Sequence, residues 1–387
     1  MPSPPAFGQA LGLCALGLLL GLPPALNAEA PATAEDQTSI RATPVIPLEA
    51  LPGLEQILPT LAQRRVVFVG ETHSRFDHHL IQLQILRALA DRNERIVLGV
   101  EWFQQPFQDV LDAYLRGEID ERALLLRSEY YERWRFDFRH YAPILRFARD
   151  RGIPVIALNL PAEVTRAAAR QDLGELDPEL RRWIPEDIDR GDEAYRLRLQ
   201  TTFDAHPPRD HSDFERFYTT QLLWDEAMAA RAALALQDYP DRQLLVFAGS
   251  GHLAFGAGIP KRLERRSGAV GAVVLPNWDG PVERGLADFL LLPEPDRLPE
   301  SGRLGVALEP GEQRLTITGV TDGGAAAAAG IRTGDVLERI DGIPVADMSD
   351  VRAALWDRRP GDVVEVGVRR PQLLGEDHTL SLDAVLR

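Results

Sequence analysis

The sequence predicts an α/β protein: a three-layer α/β/α domain with a mainly parallel sheet and helical insertions, followed by a small β-rich domain. Two observations support this. Apolar runs of strand length alternate with stretches of helical periodicity from Leu54 to Leu292, which is the pattern of βαβ units. After the Pro- and Glu-rich segment Pro293–Gly302, short β-branched runs alternate with Gly-rich turns, which predicts a linker and then a separate β-rich module.

Length and charge limit the function classes. The chain has 387 residues, of which 45% are hydrophobic and 26% charged, as in ordinary globular proteins of two or three domains. Its formal net charge is −15. Nucleic acids and anionic membrane surfaces attract basic proteins, so we expect neither to be the main partner.

The N-terminal segment predicts export. Residues 1–28 carry no charged side chain and contain the apolar run Ala10–Leu22, which is typical of a secretory signal peptide and of a periplasmic or secreted protein. Cys14, the one cysteine, follows Leu13 rather than a small residue, so a lipoprotein is less favoured. An uncleaved N-terminal anchor is the alternative. The composition of residues 29–47 predicts a flexible lead-in.

Each predicted strand of the larger domain is followed by a polar side chain. The strands are Val66–Val69, Ile96–Val100, Val155–Leu158, Leu244–Ala248 and Ala269–Leu275, and the polar residues are Glu71 with His73, then Glu101, Asn159, His252 and Asn277. Ligands of open α/β sheets bind outside the carboxyl ends of the strands. For Asn159 and Asn277, capping of a turn is as favoured as a functional role. The inserts Pro106–Asp150 and Pro161–Tyr239 are predicted to be helical and are candidates for a lid.

Two copies of one short pattern give the main indication of function. Gly70–His73 and Gly249–His252 each place a histidine three residues after a glycine, where a predicted strand ends. We expect His73 and His252 to face one pocket with Glu71 and Glu101. Imidazoles with carboxylates predict either a metal site, with His73 and His252 as ligands, or a general base acting on water. A structural, hydrogen-bonded role is the alternative.

Three further features leave alternatives open. His79 and Gln82 head an apolar helix stripe and are expected to pack there. Asp225 lies among small apolar residues, so it must be paired in the interior or face a pocket. The aromatic and basic cluster from Trp134 to Tyr141 is either core or the wall of a site for a flat cofactor, since a tyrosinate is able to ligate haem iron.

An ordered set of segments resembles a known family. GETH, HHLIQ, VEWF, FDFRHYAPIL, VIALNLP, QLLWDEAMA and FAGSGHLAFGAGIPKRL occur in this order, as in the ChaN-like domain of the haem-binding uptake group within the Tiki superfamily. The resemblance covers residues 48–292. It implies haem binding with tyrosine ligation and a link to iron uptake. Tyr141 is the ligand that we favour, supported by His140 or His206, and Tyr218 is the other candidate.

More distant members of the superfamily imply a different use of the same edge. Erythromycin esterases and Tiki proteases imply hydrolysis by the set Glu71, His73, Glu101 and His252. ChaN itself is a lipoprotein, and this chain departs from it because it lacks a proper lipobox.

The C-terminal module, residues 303–387, resembles a bacterial PDZ domain of the HtrA type. Its predicted strands are Arg303–Leu308, Leu315–Val320, Val336–Ile340 and Val363–Arg369, with a helix at Ser349–Trp356. The resemblance implies that Leu304, Gly305 and Val306 bind the carboxylate of a peptide C-terminus, to which the peptide adds as a strand. Internal docking is the alternative role.

These expectations combine into one leading hypothesis. The chain is expected to be a periplasmic haem-binding protein that acts in haem or iron uptake or handling, with a PDZ module that binds peptide C-termini or a partner protein. A metal- or His/Glu-dependent hydrolase and a non-catalytic scaffold are the alternatives. Haem, a divalent metal and a second copy of the chain are the expected cofactors and partners.

Overall fold

The computed structural model describes residues 48–205, 213–311, 314–372 and 375–387. The expected signal peptide, the lead-in at 29–47 and His206 therefore lie outside the described residues. The described residues pack as two compact units. The first contains the residues up to His73 together with Gln84–Gly99 and Leu160–Pro293, and the second contains Ser74–Leu83, Val100–Asn159 and Glu294–Arg387.

A six-stranded parallel sheet forms the centre of the α/β fold. Its strands are β1 (Val66–Glu71), β2 (Ile96–Gln104), β3 (Val155–Asn159), β4 (Gln243–Gly249), β5 (Gly271–Pro276) and β6 (Phe289–Leu291), in the spatial order β3-β2-β4-β1-β5-β6. The first four are buried along their whole length. Continuous burial explains their unbroken apolar runs, because strands of a parallel sheet are covered on both faces.

The predicted strands are found in place, but their ends differ. β1 continues through Glu71 and β2 through Gln104, so Glu71 and Glu101 lie inside strands rather than after them. The fifth strand begins at Gly271, two residues later than predicted. The sixth strand was not predicted, because a run of three residues carries no detectable periodicity.

Seven α-helices of the described residues accompany this sheet. They are α1 (Leu54–Ala62), α2 (Phe76–Arg92), α7 (Ala162–Ala168), α8 (Pro178–Arg181), α9 (Glu193–Ala205), α10 (Phe214–Asp238) and α11 (Ile259–Ser267). The predicted helical stretch 161–239 is thus divided into four helices. The longest, α10, begins after Asp213, whose side chain accepts a hydrogen bond from the backbone N–H of Arg216 and caps the helix.

The second unit combines the first insert with the C-terminal module. The insert helices are α3 (Gln108–Leu115), α4 (Glu121–Arg127), α5 (Tyr130–Arg133) and α6 (Ala142–Asp150). The module contains β7 (Val306–Gly311), β8 (Arg314–Val320), α12 (Ala325–Ala329), β9 (Val336–Ile340), β10 (Ile343–Pro344), α13 (Met348–Leu355), β11 (Val363–Arg370) and β12 (His378–Val385). Its antiparallel sheet has the order β12-β11-β9-β8-β7, with β10 paired to β9. The strands β10 and β12 were not predicted.

Within the second unit, the module contacts the insert through aromatic and cationic side chains. The ring of Trp356, directly after α13, lies 5.1 Å from the ring of Phe138, and the guanidinium of Arg146 lies 5.3 Å from the Trp356 ring centroid. Arg139 donates a hydrogen bond of 2.8 Å to the carbonyl oxygen of Pro299. Such ring and cation–π contacts stabilise by roughly 0.5–1.5 kcal/mol each, so the module is packed on the insert.

None of the described helices combines the length and the apolar character that a membrane span requires.

Candidate functional site

The first turn, Gly70–His73, carries a carboxylate–histidine pair at the end of β1. Oε1 of Glu71 lies 2.6 Å from Nδ1 of His73, and both side chains are buried. A Cβ at Gly70 would lie 2.6 Å from Cδ2 of Leu275 and 2.7 Å from Oγ of Ser250. Only glycine therefore lets β1 pack this closely against the turn that contains Ser250.

The second turn, Gly249–His252, follows the neighbouring strand. β1 and β4 pair in parallel with Glu71 opposite Gly249, so both turns leave the sheet at the same edge. Nδ1 of His252 lies 2.6 Å from Oδ1 of Asp225 on α10. The side chain of His252 is 11% exposed and that of His73 is 5% exposed. The two motifs thus lie on adjacent strands, and each histidine has its own carboxylate.

Both pairs favour the same tautomer of imidazole. A carboxylate only accepts hydrogen bonds, so we assign the proton of each ring to Nδ1 and the lone pair to Nε2. Carboxylates hold metal-ligating histidines in this way. An imidazole with this tautomer is able to ligate a metal or haem iron through Nε2, or to accept a proton as a general base. The edge of the sheet therefore presents two histidines suited to ligand binding.

Asp225 is paired in the interior, as one of its two predicted roles requires. Its side chain is 2% exposed, its Oδ1 accepts the hydrogen bond from His252, and its Oδ2 accepts one of 2.6 Å from the hydroxyl of Tyr195 on α9. Sequence reasoning missed Tyr195. It lies in a charged stretch, EAYRLRLQ, where the helical spacing of Tyr195, Leu199 and Phe203 was the one signal that could have marked it as buried.

Glu101 and Asn159 lie in the second unit around a small cavity. The cavity is lined by Glu101, Trp102, Phe103, Gln104, Ser128, Tyr130, Arg133, Trp134 and Asn159, and it has room for about one water molecule. Oδ1 of Asn159 is buried and has no hydrogen-bond partner among the described residues. Asn159 is therefore one of the polar residues that line the cavity. Asn277, by contrast, adopts φ 53°, which suits a turn residue.

The pair formed by Glu71 and His73 has the chemistry of part of a metal site. Both side chains are buried, and their ligand atoms lie 2.6 Å apart. Carboxylate and imidazole ligands suit zinc, iron(II) and manganese. The sequence predicted His73 and His252 as the metal ligands, and Glu71 offers a carboxylate beside His73.

Tyr141, the favoured haem ligand, lies inside an aromatic cluster. Its ring centroid lies 4.5 Å from that of His79 and 4.7 Å from that of Trp102, and the residue is fully buried. Nδ1 of His79 lies 3.2 Å from Oε1 of Gln82, so the two side chains contact each other in the packed helix, as the sequence led us to expect. His140 is also buried, with its ring centroid 5.0 Å from that of His79. Iron ligation by Tyr141 therefore requires these rings to move.

The other tyrosines offer no more accessible ligand. Six of the seven tyrosines are buried, and only Tyr239, at the end of α10, is half-buried. Tyr218 lies 3.5 Å from the carbonyl oxygen of Arg190, and burial raises its pKa. A raised pKa disfavours the tyrosinate that iron ligation uses.

The predicted peptide site of the C-terminal module lies at the edge of its sheet. Among the strands of the described residues, β7 pairs with β8 alone, so its other side offers an edge to which a strand could be added. Leu304 is buried in the module core, and Gly305 has φ 76°, a left-handed conformation that glycine adopts without strain. The carbonyl oxygens of Leu304 and Gly305 accept hydrogen bonds from Ala326 and Thr321, which fix the loop before β7.

Comparison with known proteins agrees with this architecture. The family model described as haem-binding uptake, Tiki superfamily, ChaN, matches residues 57–263, and a PDZ domain model matches residues 302–384. A structure of ChaN from Campylobacter jejuni, described as showing cofacial haem binding, has a TM-score of 0.51 at 17% identity over 63% of this chain and 92% of that chain. At this identity, the likeness shows a shared fold.

Two other similarities are local. A serine endoprotease from Yersinia pestis matches with a TM-score of 0.19 at 21% identity, over 22% of this chain and 28% of that chain. Protein RETICULATA-RELATED 5, chloroplastic, from Arabidopsis thaliana is 22% identical over 233 residues, which is 55% of this chain and 31% of that protein. The chain thus spans about a third of the length of this curated relative. Because the ChaN model matches more than half of the chain, the protein belongs to the ChaN family of haem-binding uptake proteins in the Tiki superfamily, and it also carries a PDZ domain.

Proposed function

We propose that this protein binds haem at the edge of its parallel sheet and acts in haem or iron handling in the periplasm. Family membership supports haem as the ligand. The observation that carries the proposal is the pair of histidines on adjacent strands, each held by a carboxylate 2.6 Å from Nδ1. Neutral imidazole nitrogen is a common iron ligand. Haem would supply the iron, and these side chains would hold and orient it.

Accessibility favours His252 over Tyr141 as the iron ligand. His252 lies in a turn and keeps part of its ring exposed, whereas Tyr141 is fully enclosed by other rings. The acidic partner Asp225 makes the imidazole a stronger donor to iron. His252 is therefore the residue whose loss we expect to matter most.

Haem titration of the purified protein tests the proposal. We expect a saturable change of the Soret band at micromolar haem, abolished in His252→Ala and retained in Tyr141→Phe. His378→Ala, an exposed histidine of β12, is the matched control. The reverse result for His252 and Tyr141 would restore the tyrosine as ligand, and no saturable binding by the unaltered protein would end the haem proposal.

We infer that the PDZ domain recruits a partner through a peptide C-terminus. The free side of β7 and the fixed loop at Leu304–Gly305 support this inference, because a bound peptide uses both. Fluorescence anisotropy with a labelled hydrophobic peptide measures it. Binding should be lost when the peptide carboxylate is amidated, and equal binding of both peptides would contradict carboxylate recognition.

A hydrolase is the second candidate function. The buried pair Glu71 and His73 favours it, because a carboxylate and an imidazole 2.6 Å apart could hold a metal ion and a reactive water. Esters and peptides presented to the zinc-supplemented protein should be hydrolysed, and Glu71→Gln should remove the turnover while the fold is kept. No turnover on either substrate class would leave haem handling or a scaffold role.

A further inference from the structure

Helix α9 (Glu193–Ala205) packs on α10 and places one buried side chain, that of Tyr195, in the interior. The Tyr195 ring packs with Tyr218 and Leu222 of α10, and Leu199, one turn further along α9, is partly buried against the same cluster. The hydroxyl of Tyr195 thus enters an apolar contact between two helices, where a buried polar group needs a hydrogen-bond partner.

The hydroxyl of Tyr195 is directed at the carboxylate that holds His252. It donates a hydrogen bond of 2.6 Å to Oδ2 of Asp225, while Oδ1 of Asp225 lies 2.6 Å from Nδ1 of His252. Burial, together with the nearby Asp225 carboxylate, raises the pKa of Tyr195 well above its usual value. The hydroxyl therefore stays protonated and remains a donor at every physiological pH.

Other contacts fix the position of Tyr195. Its backbone N–H donates to Oδ1 of Asp192, and Oδ2 of Asp192 accepts from Nζ of Lys261 at 2.7 Å, which ties the start of α9 to α11. The buried guanidinium of Arg262 lies 4.2 Å from the centroid of the Tyr195 ring. The tyrosine is thus held from its backbone and from one face of its ring.

Backbone closes the remaining side of the Asp225 carboxylate. A Cβ at Gly258 would lie 2.8 Å from Oδ2 of Asp225 and 2.2 Å from the carbonyl oxygen of His252. The carboxylate is therefore confined between Gly258, the tyrosine hydroxyl and the imidazole. The tyrosine hydroxyl donates to Oδ2, and Nδ1–H of the imidazole donates to Oδ1. These two hydrogen bonds set the orientation of the carboxylate plane.

We propose that Tyr195 is a positioning residue: it orients Asp225 so that the carboxylate holds His252 as the Nδ1–H tautomer and presents Nε2 to the ligand. Tyr195 acts through Asp225 and touches no ligand itself. The proposal rests on the proposed function only in taking Nε2 of His252 as the atom that faces the ligand. It predicts that Tyr195 affects the imidazole even when no ligand is bound.

Nitrogen-15 NMR of the full chain with labelled histidine tests the proposal without any ligand. The ring signals of His252 are assigned by their absence in His252→Gln. We expect the Nδ1–H signal of His252 to shift in Tyr195→Phe, because Asp225 loses one of its two donors. Tyr114→Phe is the matched control, since Tyr114 is also a buried tyrosine that donates a hydrogen bond to a carboxylate, but its partner is Glu121, at 3.2 Å, rather than Asp225.

Haem titration of the same variants gives the second measurement. Tyr195→Phe should weaken haem binding about tenfold, as the loss of an outer partner of a ligating histidine typically does, while Tyr114→Phe should leave it unchanged. An unchanged His252 signal in folded Tyr195→Phe would overturn the positioning role. A shifted signal in a protein that binds no haem would uphold the positioning role and end the haem proposal instead.

Discussion

Replacing Glu226 with glutamine should destabilise the α/β domain by about 3–5 kcal/mol, as expected when one partner of a buried ion pair is removed. Glu226 is fully buried on α10 and is the common partner of three arginines of α11. The contacting atoms are Nε of Arg262 at 3.2 Å, Nη2 of Arg265 at 2.8 Å and Nη2 of Arg266 at 2.7 Å. Without the carboxylate, these three cations have no common anion.

The geometry explains why glutamine does not replace the glutamate. Glu226 also accepts a hydrogen bond of 2.8 Å from the backbone N–H of Asp189, so both oxygens are used as acceptors. A glutamine would turn one acceptor into an NH₂ group that faces guanidinium donors. Arg262 is itself buried, and its charge would remain in a medium that solvates it poorly.

Denaturant unfolding followed by circular dichroism measures this effect. Glu264→Gln is the matched control, because Glu264 lies on α11 with the three arginines but is exposed, and surface substitutions usually change stability by less than about 0.5 kcal/mol. A loss below about 1 kcal/mol in Glu226→Gln would mean that solvent or other anions compensate the three arginines. The same variant should also weaken haem binding, because Arg262 packs on the ring of Tyr195.

The sequence allowed the sheet to be predicted well because buried parallel strands leave an unmistakable apolar run. The five longer strands were placed correctly, whereas β6, of three residues, left no comparable signal. Strand ends were less predictable. Glu71 follows an apolar run and was placed after the strand, but it remains in β1 because its backbone pairs with Gly249 of β4. His73, two residues on, supplies a partner for its buried carboxylate.

The histidine motifs were visible in the sequence, whereas their partners were only partly so. Asp225 stood out because a carboxylate among alanines and a methionine must be paired or face a pocket, and it proved to be paired. Its partners lie 27 and 30 residues away, on a turn and on another helix. No local pattern connects Tyr195 with Asp225, because their contact depends on how α9 packs against α10. Tertiary packing of this kind is beyond single-sequence reasoning.

Replacing Gly70 with alanine should disrupt the candidate site more than any other change of one methyl group. The added Cβ would lie 2.6 Å from Cδ2 of Leu275 and 2.7 Å from Oγ of Ser250, both closer than atoms in proteins approach without rearrangement. Overpacking of a tight core typically costs about 1–3 kcal/mol. The side chains of Leu275 and Ser250 would have to move, and Cα of Ser250, 3.3 Å from the added Cβ, would have to shift slightly, so we expect haem affinity, or hydrolytic turnover, to fall about tenfold.

Gly251→Ala separates this effect from a general need for glycine in the motifs. Gly251 lies in the second turn, is exposed, and a Cβ there would have no atom within 4 Å. We expect its stability in urea and its haem titration to match those of the unaltered protein. If Gly70→Ala binds haem as tightly as Gly251→Ala does, the close packing of the two turns is not what shapes the site, and the histidines must bind their ligand independently of each other.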